Sequence, residues 1–192
     1  YFNHIENKET LFYKLPMEFN RFSRKGILEY ALGATLYMPS TKNIAEKILN
    51  KSLTSLTSLV MCFEDSIDES ELKEAEHNVI FTIKTIKKAI IENSLTITDV
   101  PLIFLRVRNN KQFIDFTKNL DVSDYEIITG FIFPKFDDTN AENYLKHLSS
   151  INDSLNGFCI YGMPIFETEK ILFAETRKEA LNNLKTIMLP FK

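Results

Sequence analysis

Five short apolar runs recur along the chain, and each is followed by a segment suited to a helix. The runs occupy residues 33–39, 56–63, 101–107, 128–135 and 157–166. Because these runs are apolar on both faces, we expect parallel strands that are covered by helices. The alternation of strand and helix with short connections predicts a succession of βαβ units. The fold class is therefore α/β.

The helices are predicted from periodicity. The clearest one spans residues 69–93, because apolar residues recur there at steps of three and four and form one stripe. Asp68 is its predicted N-cap, with Glu71 three residues later. The stripe consists of Leu72, Ala75, Val79, Ile83, Ile86 and Ile90. Further helices are predicted near residues 24–32, 43–49, 111–119, 141–154 and 176–187, and residues 1–32 are interpreted as an N-terminal arm.

Two architectures fit this alternation, an open doubly wound sheet and a (β/α)₈ TIM barrel. No Gly-x-Gly-x-x-Gly pattern follows the first run, and the chain has only 5 glycines, which disfavours a dinucleotide-binding sheet. A closed barrel usually needs about 250 residues, whereas this chain has 192. We therefore expect residues 33–192 to form about five units of a barrel whose C-terminal strands are absent from the chain. A complete five-stranded flavodoxin-like binding domain is the alternative.

Charge and cysteine content limit the classes of partner. The net charge of −3, from 23 basic and 26 acidic residues, is too small to indicate a nucleic-acid or acidic-membrane partner. No apolar run reaches the roughly 20 residues of a membrane span, and no secretory signal is visible at the start. Cys62 and Cys159 lie inside apolar runs, so we expect both to be buried free thiols. That usage favours a reducing, cytoplasmic setting.

Charged side chains follow the predicted strands. Glu64 and Asp65 come after the second run, Arg106 lies near the end of the third, Lys135 ends the fourth and Glu167 follows the fifth. Since active sites of parallel βα folds collect at the carboxyl ends of the strands, we expect these side chains to share one mouth. Carboxylates there suit a hard divalent cation such as Mg²⁺, with Mn²⁺ as the alternative. An arginine there can hold a substrate carboxylate through two parallel contacts.

Each of these residues also has a structural interpretation. Glu64 and Asp65 could form an acidic turn before the long helix, and Glu167 and Lys135 could be solvated loop residues. Three further charged residues follow the strands. Arg108 could be a solvated arginine, and Asp137 and Asp138 could form an acidic turn at the start of a helix. His77 and His147 fall on predicted helices, where surface or packing roles are expected. Proton transfer would then fall to carboxylates, a lysine, metal-bound water or a substrate group.

Five segments at the strand ends resemble, in order, those of the citrate lyase β-subunit and HpcH/HpaI aldolase superfamily. LYMP at residues 36–39 is similar to a Phe-Val-Pro turn, and CFEDSI at 62–67 is similar to DLEDAV. LRVR at 105–108, FPKF at 133–136 and PIFET at 164–168 are similar to VRVN, LPKV and PLIET. Residues 30–39 look like a divergent branch found in bacterial gene clusters for stress or tellurium resistance.

The resemblance implies a (β/α)₈ barrel and a Mg²⁺-dependent lyase that cleaves a carbon–carbon bond. The substrate would be a small hydroxy- or oxo-acid, free or as a CoA thioester, and the assembly a homo-oligomer. By position, Glu167 would bind the metal, and Arg106 would contact the substrate carboxylate or the developing enolate. Glu64 and Asp65 would hold metal-bound waters or orient the arginine, and Lys135 would support them. A second metal-binding aspartate, after strand 6 in the family, is expected beyond residue 192.

The chain departs from the family pattern at four positions. Cys62 replaces an aspartate and Arg108 replaces an asparagine, while Phe136 and Phe166 add bulk. These changes put the usual substrate in doubt. They motivate an alternative function, in which the chain is a non-catalytic or biosynthetic relative that retains ligand binding.

Overall fold

The structure of the chain is a computed structural model, and it describes residues 5–53, 55–65 and 67–191. The strands are β1 (Leu36–Pro39), β2 (Ser58–Cys62), β3 (Leu102–Arg106), β4 (Ile128–Phe133) and β5 (Tyr161–Pro164). The α-helices are α1 (Lys8–Leu11), α2 (Lys25–Leu28), α3 (Ala45–Leu49), α4 (Leu72–Ile91), α5 (Asn110–Thr117), α6 (Ala141–Asp153), α7 (Glu169–Leu172) and α8 (Ala174–Met188). Short 3₁₀ turns span Glu69–Glu71, Ile97–Asp99, Val122–Glu126 and Leu189–Phe191.

The five strands form one parallel sheet in the order β1-β2-β3-β4-β5. Strands that are consecutive in the chain are thus neighbours in the sheet. A doubly wound sheet instead reverses its strand order at a switch point. No such reversal occurs among the described strands, so the flavodoxin-like alternative is wrong. The structure contains five successive βα units of the barrel type.

The helix-covered face of the sheet holds the larger apolar core. It includes alternate residues of the strands, such as Leu59 and Met61 of β2 and Ile103 and Leu105 of β3, all fully buried. The predicted stripe of α4 packs here, since Ala75, Val79, Ile83 and Ile86 are buried and Leu72 and Ile90 lie against them. Aromatic rings of β4, α5, α6 and the positions just after β2 and β4 complete this core: Phe63, Phe113, Phe116, Phe131, Phe133, Phe136 and Tyr144. The dense packing of rings fixes the positions of the strand ends.

The opposite face of the sheet carries a smaller cluster that includes Val60, Phe104 and Ile132. Leu28 of α2 belongs to this cluster, and Phe19 of the N-terminal arm packs on it. β4 presents Gly130 beside Phe104, where a Cβ would lie 3.0 Å from the ring and would collide with a backbone carbonyl of β5. The arm and the strands therefore form one packed unit on this face.

Arg21 ties the arm to the sheet. Its Nη2 donates to the carbonyl oxygens of Ile128 (2.7 Å) and Cys159 (3.1 Å). The guanidinium carbon lies 4.8 and 4.5 Å from the ring centroids of Phe22 and Phe158. Burial lowers the pKa of Arg21 to about 10. This buried arginine was not among the residues that the sequence analysis selected.

Several sequence predictions need correction. Cys159 is exposed, although Cys62 is a buried free thiol as expected. The strands are shorter than the apolar runs, because each run continues into a loop at one or both ends. The helices α1 and α7 were not predicted, and the predicted helix at 24–32 is confined to Lys25–Leu28. None of the described helices combines the length and hydropathy needed to cross a bilayer.

The predicted N-cap, Asp68, is confirmed at the 3₁₀ turn Glu69–Glu71, and α4 itself begins one turn later, at Leu72. The Ser70 amide donates to Asp68 Oδ1 (3.0 Å), and the Asp68 amide donates to Glu71 Oε2 (3.2 Å). This reciprocal capping box satisfies backbone donors at the first turn. The Ser70 amide also lowers the pKa of Asp68 below its usual range. The cap fixes the C-terminal end of the loop that carries Glu64.

Candidate active site

The carboxyl ends of β2 to β5 lie side by side at one edge of the sheet. Cys62 pairs with Arg106, and Arg106 pairs with Ile132. Phe133, at the end of β4, pairs with Pro164, at the end of β5. Side chains at or just after these positions therefore converge. We call this group the mouth, and it consists of Glu64, Asp65, Arg106, Lys135 and Glu167.

Arg106 is the centre of the mouth. Its Nη2 lies 2.7 Å from Glu64 Oε2 and 3.6 Å from Glu167 Oε1, and its Nη1 lies 2.8 Å from Asp65 Oδ2. The Arg106 and Glu64 side chains are only 12% and 8% exposed, whereas Asp65 is 63% exposed. Three carboxylates thus surround one guanidinium, with a buried partner on one nitrogen and an exposed partner on the other.

Lys135 links three strand ends. Its Nζ lies 2.8 Å from Glu64 Oε1, and its backbone amide donates to Glu167 Oε1 at 3.0 Å. The residue has a left-handed backbone with φ of 48°, which non-glycine residues rarely adopt. Asn140 stabilises this turn by donating from Nδ2 to the Lys135 carbonyl oxygen (2.8 Å). Strained backbone of this kind is concentrated at functional sites.

The electrostatics keep both mouth cations charged. Burial opposes the charge of Arg106, but the carboxylates Glu64 and Asp65 outweigh it and raise the pKa of the guanidinium. The hydrogen bond to Glu64 raises the pKa of Lys135. Two cations and three carboxylates leave the mouth with one negative charge. That surplus can be balanced by a bound cation.

Tyr37 of β1 is a further residue at this edge that the sequence analysis missed. It pairs with Val60, so it stands on the same face of the sheet as Arg106. Burial raises the pKa of the Tyr37 phenol. The positive charge of Arg106 lowers this pKa, and the negative charge of Glu167 raises it. The phenol is therefore a neutral hydrogen-bond donor beside the mouth. The sequence does contain a signal for Tyr37, because an aromatic residue with a hydroxyl stands two positions before Pro39, near the end of the first apolar run.

The other predicted candidates lie outside the mouth cluster. Arg108 donates from Nη2 to the carbonyl oxygen of Ile67 (3.0 Å), so it braces the loop after β2. Asp137 accepts from the amide of Thr139 (2.9 Å) in the turn before α6, as the structural interpretation expected. Asp138 pairs with Lys170 at 2.7 Å. These residues support loops around the mouth.

The histidines have packing or surface positions. His147 Nε2 lies 2.7 Å from Thr117 Oγ1, and its ring meets Phe113 edge-on at 4.8 Å. His77 is exposed on α4. Within the described part of the chain, neither forms a hydrogen bond or ion pair with a mouth residue. His4 lies outside the described residues.

A divalent cation fits the mouth only with help from non-protein ligands. Among the described residues, no three His, Cys, Asp or Glu side chains come together in a way that could hold a metal. Glu64 contacts both Arg106 and Lys135. Glu167 lies farther from Arg106 than Glu64 and Asp65 do, so it is the carboxylate held most weakly by a protein cation. Mg²⁺ commonly uses one or two carboxylates and completes its shell with water and substrate oxygens. The residues therefore fit a Mg²⁺ of that kind and not an all-protein cage.

Comparison with protein families gives a match that covers the whole sheet. Residues 26–191 match the family model described as C-C bond lyase of the TIM-barrel fold. The matched range contains all five mouth residues and begins within α2. No curated protein matches the chain. The strand order and the family match agree, and the chain belongs to the family of carbon–carbon bond lyases of the TIM-barrel fold.

Proposed function

We propose that the mouth catalyses a Mg²⁺-dependent retro-aldol or retro-Claisen cleavage of a small carboxylate substrate. The substrate is a hydroxy- or oxo-acid, taken either free or as a CoA thioester. The family match supports carbon–carbon bond cleavage. The observation that carries the finer proposal is the Arg106 guanidinium, held nearly buried between carboxylates at the carboxyl ends of the strands.

Arg106 would act on the charge that the reaction develops. In a retro-aldol cleavage, a base removes the proton of the substrate hydroxyl, the carbon bearing that oxygen becomes a carbonyl, and the electron pair of the broken carbon–carbon bond forms an enolate. In a retro-Claisen cleavage, water first adds to the carbonyl carbon that is split off, and that carbon leaves as a carboxylate while the electron pair of the broken bond forms the enolate. A guanidinium near that enolate oxygen stabilises the transition state, and a preorganised donor of this type contributes several kcal/mol. Because Arg106 is fixed by Glu64 before substrate binds, little reorganisation would be needed.

Glu64 and Lys135 would act by positioning. Glu64 receives both cations through its two oxygens, at 2.7 and 2.8 Å, so it sets the distance between the guanidinium and the ammonium. Lys135 in turn fixes Glu167 through its backbone amide. No described histidine is bonded to a mouth residue, so the groups left for proton transfer are the carboxylates, Lys135 as a proton donor, metal-bound water and a substrate group.

Glu167 would hold the divalent cation, with Mn²⁺ as an alternative to Mg²⁺. A bound cation of this kind polarises substrate oxygens and stabilises negative charge on them. Glu167 is suited to this role because it is partly exposed and lies 3.6 Å from Arg106, longer than the other two carboxylate contacts. The cation and Arg106 would then face the same substrate.

The metal assignment is tested by calorimetric titration of Mg²⁺ into Glu167→Gln. We expect binding to be lost in this variant and kept in Glu142→Gln, which removes an exposed carboxylate paired with Lys146 on α6. Unchanged Mg²⁺ affinity in Glu167→Gln would rule the assignment out.

Turnover is tested separately with small hydroxy- and oxo-acids and their CoA thioesters. We expect cleavage that requires the divalent cation and is lost in Arg106→Gln. An oxo-acid that binds without being cleaved would favour the alternative of a non-catalytic relative.

A further inference from the structure

We propose that Asp65 is a displaceable stand-in for the substrate carboxylate. In the structure it occupies the outer nitrogen of Arg106, and it leaves that nitrogen when an anionic substrate binds. The inference rests on the proposed function, because it takes Arg106 as the substrate-binding residue. It adds a specificity-determining role for Asp65.

The two terminal nitrogens of Arg106 have partners of different character. Nη2 contacts Glu64, which is almost fully buried, at 2.7 Å. Nη1 contacts Asp65, which is mostly exposed, at 2.8 Å. Losing one member of a buried ion pair is costly, whereas an exposed pair contributes little. An incoming carboxylate will therefore replace Asp65 and leave Glu64 in place.

The other contacts of the two carboxylates also indicate that Asp65 is displaced more easily than Glu64. Glu64 is also held by Lys135 Nζ at 2.8 Å. Asp65 makes no other ion pair or hydrogen bond within the described part of the chain, so it gives up a single contact when it leaves. The carboxylate of Asp65 has the charge and the oxygen geometry that a substrate carboxylate would bring to Nη1. The outer side of Arg106 is thus covered by a group that a ligand can imitate.

Displacement has a consequence for the class of ligand. The mouth already carries one surplus negative charge, and a bound anion adds another while Asp65 stays nearby. A simple monocarboxylate gains only the contact that Asp65 gives up. A ligand with a second oxygen next to its carboxylate, such as an α-oxo- or α-hydroxy-acid, can also accept a hydrogen bond from the exposed Lys135 ammonium. Asp65 therefore selects against simple monocarboxylates and in favour of such acids.

The test uses acetate and glycolate as probes. Their binding is measured by NMR titration in the presence of a chelator, so that no divalent cation contributes. We expect the wild-type protein to bind glycolate, an α-hydroxy-acid with the same charge as acetate, more tightly than acetate. Asp65→Asn should bind acetate more tightly by up to about fivefold, the factor that one exposed ion pair contributes. Asp65→Glu, which keeps the carboxylate, should not show this gain.

Asp115→Asn is the matched control. Asp115 is an exposed carboxylate on α5 that pairs with Lys111 and Lys118, and its replacement makes the same change in net charge. Acetate affinity should not change in this variant. Affinity in Asp65→Asn that is unchanged or weaker than in the wild-type protein would overturn the proposal.

Failure of the proposed function gives a different result. Arg106→Gln should lose the binding of both probes if Arg106 holds the carboxylate. Wild-type binding in Arg106→Gln would remove the basis of both proposals. Loss of binding in Arg106→Gln together with no gain in Asp65→Asn would leave the proposed function standing and reject only the role of Asp65.

Discussion

Arg106 and Glu64 form an ion pair between the end of one strand and the loop after its neighbour, with Nη2 and Oε2 2.7 Å apart and both side chains nearly buried. Removing these charges from water is expensive, and their attraction offsets this cost only while both are present. Each residue therefore depends on the other. The mouth is built around this relationship.

The first prediction concerns the stability of this pair. Arg106→Gln should lower the free energy of unfolding by about 3 kcal/mol, the lower end for breaking a buried pair, because Lys135 still contacts Glu64. The double variant with Glu64→Gln should be more stable than the sum of the two single changes predicts. A double-mutant cycle measured by denaturant unfolding provides the check. Additive effects would show that the two side chains are not coupled.

A second prediction separates the effect of the Lys135 backbone conformation on stability from the effect of its side chain. Lys135→Ala and Lys135→Gly both remove the ammonium, but only glycine adopts the φ of 48° without a steric cost. The left-handed conformation costs an L-residue about 1 to 2 kcal/mol, so Lys135→Gly should be more stable than Lys135→Ala by roughly 1 kcal/mol. Thermal unfolding of the two variants measures the difference. Equal stabilities would mean that the turn relaxes.

The third prediction compares two glycines. Gly130→Ala places a Cβ against the Tyr161 carbonyl oxygen and 3.0 Å from the Phe104 ring, so β4 and β5 must separate or the ring must move. We expect a loss of about 1 to 3 kcal/mol, as for other overpacked sites. Gly26→Ala on α2 meets nothing within 4 Å and should gain up to about 1 kcal/mol from helix propensity. Denaturant unfolding that shows Gly130→Ala to be as stable as Gly26→Ala would contradict the packing described here.

The strand ends were predictable because parallel strands place their carboxyl ends at one edge. Glu64 and Glu167 are more than a hundred positions apart, yet each follows an apolar run, and this rule alone puts both near Arg106. The sheet order was equally accessible, since consecutive βα units of a barrel pair in sequence. The contacts within the mouth were not accessible, because they depend on loop backbone. The left-handed turn that lets Lys135 reach both Glu64 and Glu167 has no glycine to mark it.

Other features escaped prediction for reasons of packing. Cys159 lies in an apolar run but precedes the strand, where the side chain is exposed. Arg21 reads as an ordinary charged residue of the arm, although two backbone carbonyls and two aromatic rings make a buried site for it. Tyr37 looked like one more apolar strand residue. For Arg21 and Tyr37, most of the environment comes from segments distant in the chain.

A final prediction concerns pH and His147, which packs between α5 and α6. Burial lowers the pKa of His147, and the charge of Lys118 lowers it further. The unfolded chain, with a histidine pKa near 6.5, therefore binds a proton more readily than the folded protein does. The contribution of His147 to stability is present above about pH 6.5 and is lost as the pH falls toward its folded pKa.

His147→Gln removes this titration and can keep a hydrogen bond to Thr117. The free energy of unfolding, measured in denaturant from pH 8 to pH 5, should therefore fall less steeply with acidification in His147→Gln than in the wild-type protein. His77→Gln, a change at the exposed histidine of α4, provides the control and should follow the wild-type curve. Parallel curves for His147→Gln and the wild-type protein would show that protonation of His147 is not opposed by its packing against Phe113 and Thr117.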